Sequence, residues 1–197
     1  MNSHPSAPPL PFLDSIRADL AAHLPPELRG GPSPAWVRRA LAIVLGSTGF
    51  HVTLLYRSGH ALRARFGLAG RFASSLVSWT IRHAYGCSIA PTARLEGGLI
   101  LAHPLGIVIG PGVEVGPRAW IFQNVTLGGS PGREGLPRVG PDVRIWPGAV
   151  VAGPIKVGAN VVIGANAVVT LDVPDHTLVR TPFPSFLPLS DHFQVDS

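Results

Sequence analysis

The stretch VRIWPGAVVAGPIKVGANVVIGANAVV, residues 143–169, repeats an aliphatic residue every six positions. One column reads Val139, Ile145, Val151, Val157, Ile163 and Val169, and a second reads Val143, Ala149, Ile155, Val161, Ala167 and Val173. A six-residue period matches neither the α-helix nor a simple alternating strand. It is typical of short strands joined by tight turns and wound as a solenoid, three strands to a coil, with the columns stacked inside. An ordinary β-sandwich, the alternative, has no reason to hold one period for so long.

The same period is present upstream of this stretch. Every sixth residue from 89 is apolar, in the order Ile89, Leu95, Leu101, Ile107, Val113, Ala119 and Val125, beside a column of Ile109, Val115, Ile121 and Leu127. The segment GGSPGREGLP, residues 128–137, interrupts the repeat and is predicted to be a loop excursion. His103 falls six positions before Ile109 and so in an otherwise apolar column. From the residues alone, His103 is either a hydrogen-bonded core histidine or a catalytic base.

Composition divides the rest of the chain. Residues 1–35 are rich in proline and contain a predicted short amphipathic helix within 11–24, and residues 36–86 repeat apolar residues at helical spacing. The predicted solenoid covers 87–177, and 178–197 form a C-terminal tail. The fold class expected is therefore mainly β, a parallel β-helix preceded by a small α-helical region.

The bulk composition limits the classes of function. Hydrophobic residues make up 46% of the chain and charged residues 14%, which excludes a disordered chain. The single cysteine, Cys87, supports no disulfide framework, and we predict no metal site. The net charge of +5 fits an acidic small molecule, because no nucleic-acid-binding motif accompanies it. Neither a signal peptide nor a membrane span is recognisable, so we expect a cytoplasmic protein.

Four motifs resemble the hexapeptide-repeat acyltransferases, and among them the serine acetyltransferase group. They are GFHVTLLYRSGHAL (49–62), NVTLGGS (124–130), the repeat at 143–169 and DVPDHT (172–177). The resemblance covers roughly residues 33–177 and implies a left-handed β-helix that transfers an acetyl group from acetyl-CoA to a hydroxyl. It also implies a homotrimer with active sites between subunits.

The resemblance assigns roles to particular residues. His103 of LAHPLG falls on the position of the family's general base. The donor acetyl-CoA is expected to contact Gly129, Ser130, Ala165 and Arg180, although a solvated surface arginine is the other interpretation of Arg180. Gln123 is expected to contact the acceptor, and Trp120, predicted to face outward, is either a subunit contact or a platform for a sugar ring.

The departures from the family pattern lie in the acceptor site. Aspartates of the family are replaced by Ser33, Ser88 and Ala102, and an arginine–histidine pair by Gly135 and Leu136. A site without carboxylates has lost its usual means of holding an ammonium group. We therefore expect a saccharide acceptor, as in exopolysaccharide acetyltransferases, with Ser88 as the possible orienter of His103. The alternatives are serine itself and a catalytically inactive β-helix scaffold. Because the chain ends FQVDS, we expect no complex with cysteine synthase.

Overall fold

Four helices precede the solenoid, and capping residues set several of their ends. The computed structural model describes residues 10–182 and shows α1 (Phe12–His23), a 3₁₀ turn (Pro26–Leu28), α2 (Pro34–Gly46), α3 (Thr48–Arg65) and α4 (Gly67–Tyr85). The hydroxyls of Ser33 and Ser47 accept hydrogen bonds from the first-turn amides of α2 and α3. Helix α4 ends at Gly86, whose φ of 65° is the left-handed conformation in which glycine carries no steric penalty.

Fourteen short parallel strands follow among the described residues and form the three faces of a prism. Face 1 consists of β1 (Ser88–Ile89), β4 (Val108–Ile109), β7 (Thr126–Gly128), β10 (Val150–Ala152) and β13 (Val168–Val169). Face 2 consists of β2 (Arg94–Leu95), β5 (Glu114–Val115), β8 (Arg138–Val139) and β11 (Lys156–Val157). Face 3 consists of β3 (Ile100–Leu101), β6 (Trp120–Ile121), β9 (Arg144–Ile145), β12 (Val162–Ile163) and β14 (Leu178–Val179).

Stacked aliphatic residues fill the inside of the prism. The second residue of nearly every strand points inward, so a continuous buried column runs along each face, as the six-residue period predicts. The predicted loop excursion lies between β7 and β8, and Leu136 within it packs back on the core. The side chain of Arg133 ties the same loop to the solenoid by donating to the carbonyl of Thr170 at 2.7 Å.

One detail of the predicted columns is wrong. Ile109 pairs with Leu127, eighteen positions on, but Ile89 pairs with Ile109, twenty positions on. The first coil thus contains two more residues than a regular coil, and the extra residues lie within 102–106. The column of Leu101 therefore continues at Ile109 and not at Ile107. His103 does not occupy an apolar column: it lies on an exposed turn within this insertion.

A buried ion pair joins the helices to the first coil. The carboxylate of Asp19 on α1 accepts hydrogen bonds from the amides of Gly98 and Leu99, each at 2.9 Å, and from the guanidinium of Arg57 on α3. The Arg57 side chain also donates to the carbonyls of Leu95 and Glu96. Because both charges are withdrawn from water, their partners fix α1 and α3 against one end of the solenoid.

None of the helices between residues 10 and 182 is by itself long and apolar enough to span a bilayer. Helices α2 and α3 meet the same length and composition test only together, as a pair bent by 78°.

Candidate active site around His103

The turn that carries His103 is held by its backbone. His103 has a φ of 51°, a left-handed conformation that histidine adopts more readily than most residues. Its carbonyl accepts from the amide of Leu105 at 2.7 Å, and the Leu105 carbonyl accepts from the amide of Asn124 on the next coil at 2.8 Å. The thiol of Cys87 donates to the carbonyl of Pro104 at 2.8 Å. Burial raises the pKa of Cys87, which keeps the thiol protonated and able to donate.

A cavity of about 380 Å³ opens beside His103. It lies between the first coil and the junction of α2 with α3, and it is lined by His23, Gly46, Ser47, Thr48, Gly49, Ile100, Leu101, Ala102, His103 and Pro104. The wall is close-packed, since a Cβ built on Gly49 would overlap the carbonyl oxygen of Leu101. Within the described chain the His103 imidazole makes no hydrogen bond, so its ring nitrogens are available to a ligand.

A second histidine, His23, lines the same cavity, and the sequence had not singled it out. Its Nδ1–H donates to the carbonyl of Asp19 at 2.8 Å, and its ring packs edge-on against Phe50 at 5.9 Å between centroids. These contacts fix the ring and leave Nε2 free to bind a polar group. Nothing in the helical spacing of residues 11–24 marks this histidine, because packing of α1 on the first coil brings it to the cavity.

The N-terminus of α3 also faces the cavity. Ser47 caps the helix through the amide of Phe50, while Thr48 and Gly49 supply first-turn amides that have no carbonyl within their own helix. An α-helix carries partial positive charge at this end. This end makes the wall opposite the first coil attractive to an anionic group.

Carboxylates are missing from the described residues that line the cavity. Ala102 lies beside His103 in the cavity wall. Ser88, predicted as the possible orienter of His103, accepts a 3.4 Å hydrogen bond from Arg82 on α4. Ser33 is occupied as the N-cap of α2. The orienting role of Ser88 therefore stays a prediction, with a contact to Arg82 that competes with it.

Several predicted residues share one edge of the prism with His103. This edge, where face 3 meets face 1, consists of the turns at 102–107, 122–125, 146–149 and 164–167, and it is called the His103 edge below. Gln123 lies one coil from His103 and Ala165 three coils away, about 14 Å at the usual strand spacing. Arg180 follows β14, and its Cα lies 3.4 Å from a Cβ built on Gly164.

Gln123 on this edge has an unpaired buried polar atom. Its side-chain oxygen is buried and has no hydrogen-bond partner within the described chain. A buried acceptor without a partner costs about 1–3 kcal/mol, so a partner from a ligand or a second subunit is expected here. This supports the prediction that Gln123 contacts a substrate.

The remaining predicted residues lie elsewhere on the prism. Gly129 and Ser130 follow β7 at the edge between faces 1 and 2, where the loop excursion leaves the solenoid. Trp120 on face 3 does face outward, and the guanidinium of Arg144 lies over its ring at 5.7 Å. The structure therefore groups His103, Gln123, Ala165 and Arg180 along one edge, whereas Trp120 lies on face 3 and Gly129 and Ser130 lie at another edge.

Within residues 10–182 the histidine, cysteine, aspartate and glutamate side chains form no group of three or more that could hold a metal ion. The prediction that no metal takes part stays a prediction.

Comparison with known sequences places the solenoid in a family. The family model described as "Bacterial transferase hexapeptide (six repeats)" matches residues 137–170. A serine acetyltransferase of Helicobacter pylori is 38% identical over 159 residues, which covers 79% of this chain and 89% of that protein. A serine acetyltransferase of Bacillus subtilis is 36% identical over 144 residues, covering 72% of this chain and 65% of that protein.

Solved structures agree with the sequence relatives. The serine acetyltransferase of Neisseria gonorrhoeae in complex with serine matches with a TM-score of 0.73 and 31% identity, over 87% of this chain and 67% of that one. Isoform 3 of the Entamoeba histolytica enzyme, in complex with cysteine, matches with a TM-score of 0.74 and 26% identity, over 92% of this chain and 62% of that one. The chain thus spans about two thirds of these crystallised proteins.

These matches confirm the left-handed parallel β-helix and the acyltransferase class predicted from the sequence. The chain belongs to the serine acetyltransferase family of hexapeptide-repeat transferases.

Proposed function

We propose that this protein is an acetyl-CoA-dependent O-acetyltransferase with His103 as general base and L-serine as acceptor. The observation that carries the proposal is the 38% identity to a serine acetyltransferase across 89% of that relative's length. The relatives named above are all serine acetyltransferases, so the comparisons favour serine over the saccharide that the sequence suggested. An inactive scaffold is not supported either, because the chain retains an accessible histidine at a cavity.

The chemistry follows from the position of His103. The imidazole takes the proton of the acceptor hydroxyl, and the oxygen of that hydroxyl attacks the carbonyl carbon of the thioester. A C–O ester bond forms, the C–S bond breaks, and the imidazolium returns its proton to the departing CoA sulfur. Histidine suits both proton transfers because its neutral and charged forms are close in free energy near pH 7.

Two features of the cavity support an amino-acid acceptor. The first-turn amides of α3 offer donors for a carboxylate on the wall opposite His103, and Nε2 of His23, whose ring proton is on Nδ1, can accept a hydrogen bond from an ammonium group. Neither group corresponds to the arginine–histidine pair of the family, whose positions hold Gly135 and Leu136 here. The α-carboxylate of serine would therefore be held by the helical region of the chain.

A saccharide remains the second candidate, and one observation favours it. The described cavity wall carries no carboxylate for an ammonium group, and Ala102 is the neighbour of His103. A neutral polyol hydroxyl avoids the cost of desolvating an unpaired ammonium, which is several kcal/mol.

The donor and the assembly complete the proposal. Acetyl-CoA is expected to run along the His103 edge, where Ala165 is an exposed small residue and Arg180 follows β14. We also propose that three chains associate, because the solenoid exposes apolar side chains at Val108, Val168 and Leu178 that a neighbouring subunit would cover. Light scattering after size-exclusion chromatography measures this directly.

The test uses release of the CoA thiol from acetyl-CoA with serine and with neutral saccharides as acceptors. His103→Asn removes the base but tolerates the left-handed backbone, and it should lower kcat by about 10²-fold or more. His176→Asn is the matched control, since His176 also has a positive φ of 56° on an exposed turn and should leave kcat within about twofold.

The outcomes separate the candidates. Faster release with serine than with any saccharide, lost in His103→Asn, supports the proposal. Release with a saccharide alone overturns the serine assignment in favour of the second candidate. Equal rates for His103→Asn and His176→Asn would remove His103 from the reaction altogether.

A further inference from the structure

Helix α4 presents large apolar side chains on the side that faces away from the protein. Leu68, Phe72, Leu76 and Trp79 are exposed by 80%, 76%, 57% and 58%, and their spacing of three and four residues puts them on one helical face. They are called the α4 stripe below. The opposite side of α4 is already packed, with Gly70, Ser74 and Ile81 buried. The α4 stripe is therefore a second apolar face that the fold of one chain does not use.

In the segment of chain that contains α4, all the aspartate, glutamate, lysine and arginine charges have one sign. Residues 28–95 contain nine arginines and no aspartate or glutamate. Arg71 follows Leu68 by three positions and Arg82 follows Trp79 by three, so both exposed guanidinium groups flank the same side of the stripe. An apolar helical face bordered by arginine, with a tryptophan among its apolar residues, matches the requirements of a lipid–water interface.

We propose that the α4 stripe docks the protein on the surface of an anionic lipid bilayer. The apolar side chains enter the boundary between headgroups and acyl chains, while Arg71 and Arg82 extend to the lipid phosphates. A second copy of the chain is the less suitable occupant, because pairing two such helices brings arginines of like charge together with no acidic residue from 28 to 95 to offset them. The helix binds at the surface of the bilayer and does not cross it. This binding is a separate property from the proposed acetyl transfer.

Co-sedimentation of the full chain with vesicles tests the proposal. Vesicles of phosphatidylcholine alone are compared with vesicles that also contain phosphatidylglycerol. Binding should be at least tenfold stronger to the anionic vesicles and should weaken as the salt concentration rises. The double variant Phe72→Ser/Trp79→Ser should lose at least tenfold in partitioning, whereas the control Leu13→Ser, at an exposed apolar residue of α1, should not.

A variant without the two arginine charges tests whether these charges give the preference for anionic lipid. Arg71→Gln/Arg82→Gln should reduce the preference for anionic vesicles several-fold, and Arg138→Gln, an exposed arginine on face 2, is the matched control. Equal binding to neutral and anionic vesicles, or no binding to either, overturns the proposal.

Two other occupants are outcomes of the same experiments. Self-association measured by light scattering, abolished by Phe72→Ser/Trp79→Ser with no vesicle binding, would make the stripe an interface between copies. Vesicle binding that is absent in the full chain and appears only after removal of residues 183–197 would also overturn the proposal, with the C-terminal segment as the occupant of the stripe.

Discussion

Removal of the Asp19 carboxylate should destabilise the protein far more than its position in a short N-terminal helix suggests. Asp19 is only 1% exposed and accepts from Gly98, Leu99 and Arg57. Asp19→Ala leaves a buried guanidinium without its counterion and two buried amides without an acceptor. The same substitution frees α1 and α3 from the first coil, and these helices carry the cavity wall opposite His103.

The magnitude follows from the groups left without partners. Breaking a buried ion pair from one side costs about 3–5 kcal/mol, and each orphaned amide adds about 1–3 kcal/mol, though the terms overlap. A loss of about 5 kcal/mol is expected for Asp19→Ala, which lowers Tm by roughly 10–20 °C for a chain of this size. Asp19→Asn keeps an oxygen for the amides and should lose less, about 3 kcal/mol.

Asp14→Ala is the control on the same helix. Asp14 pairs with Arg17 at 3.4 Å on the exposed surface, so its loss should change stability by no more than about 0.5 kcal/mol. Urea unfolding at two protein concentrations gives the three free energies, and the expected order of loss is Asp19→Ala, Asp19→Asn, Asp14→Ala. If Asp19→Ala cost no more than Asp14→Ala, the buried ion pair would not hold the helices on the solenoid.

Three further substitutions, together with one control, probe the same region. Gly49→Ala should destabilise by about 1–3 kcal/mol and lower activity, because its Cβ would overlap a carbonyl of β3, whereas Gly46→Ala, with open space, should be stable by urea unfolding. Burial, only partly offset by the nearby arginine, raises the pKa of Tyr56 to about 12. The unfolded chain therefore ionises first, and wild-type stability should fall by about 2 kcal/mol between pH 10 and 12 relative to Tyr56→Phe in alkaline unfolding. Cys87→Ala removes the thiol that holds the His103 turn. It should lower kcat by a larger factor than it changes KM, which the kinetics of thiol release will measure.

The β-helix could be predicted because each coil repeats the same physical constraint. A strand residue that points into a narrow prism must be aliphatic, so the requirement recurs at every sixth position whatever the partner. The predicted columns differ from the structure across residues 102–106, where Ile107 looks like the next member of the column of Leu101. Aliphatic residues at both 107 and 109 make the two registers equivalent in sequence, and only the strand pairing distinguishes them.

The cavity wall could not be predicted in the same way. His23 lies on a helix whose spacing indicates only that one side is apolar, and its role depends on where α1 docks. That docking is determined by Asp19 and Arg57, which are thirty-eight positions apart and look like ordinary surface charges in the sequence. Long-range polar contacts of this kind leave no periodic trace, so the residues they bring to a site are missed.

The structure shows what two serines do at positions where the family has aspartate. Serine at position 33 caps α2, a role that serine and aspartate perform about equally well, so this replacement removes charge without disturbing the helix. Serine at position 88 likewise keeps a hydrogen bond, from Arg82. Both serines keep a hydrogen bond within the chain and remove a negative charge from the acceptor site. Family membership therefore supports the reaction at His103, while the charge balance of the cavity bears on how tightly serine binds. The missing carboxylates should therefore raise the KM for serine more than they lower kcat.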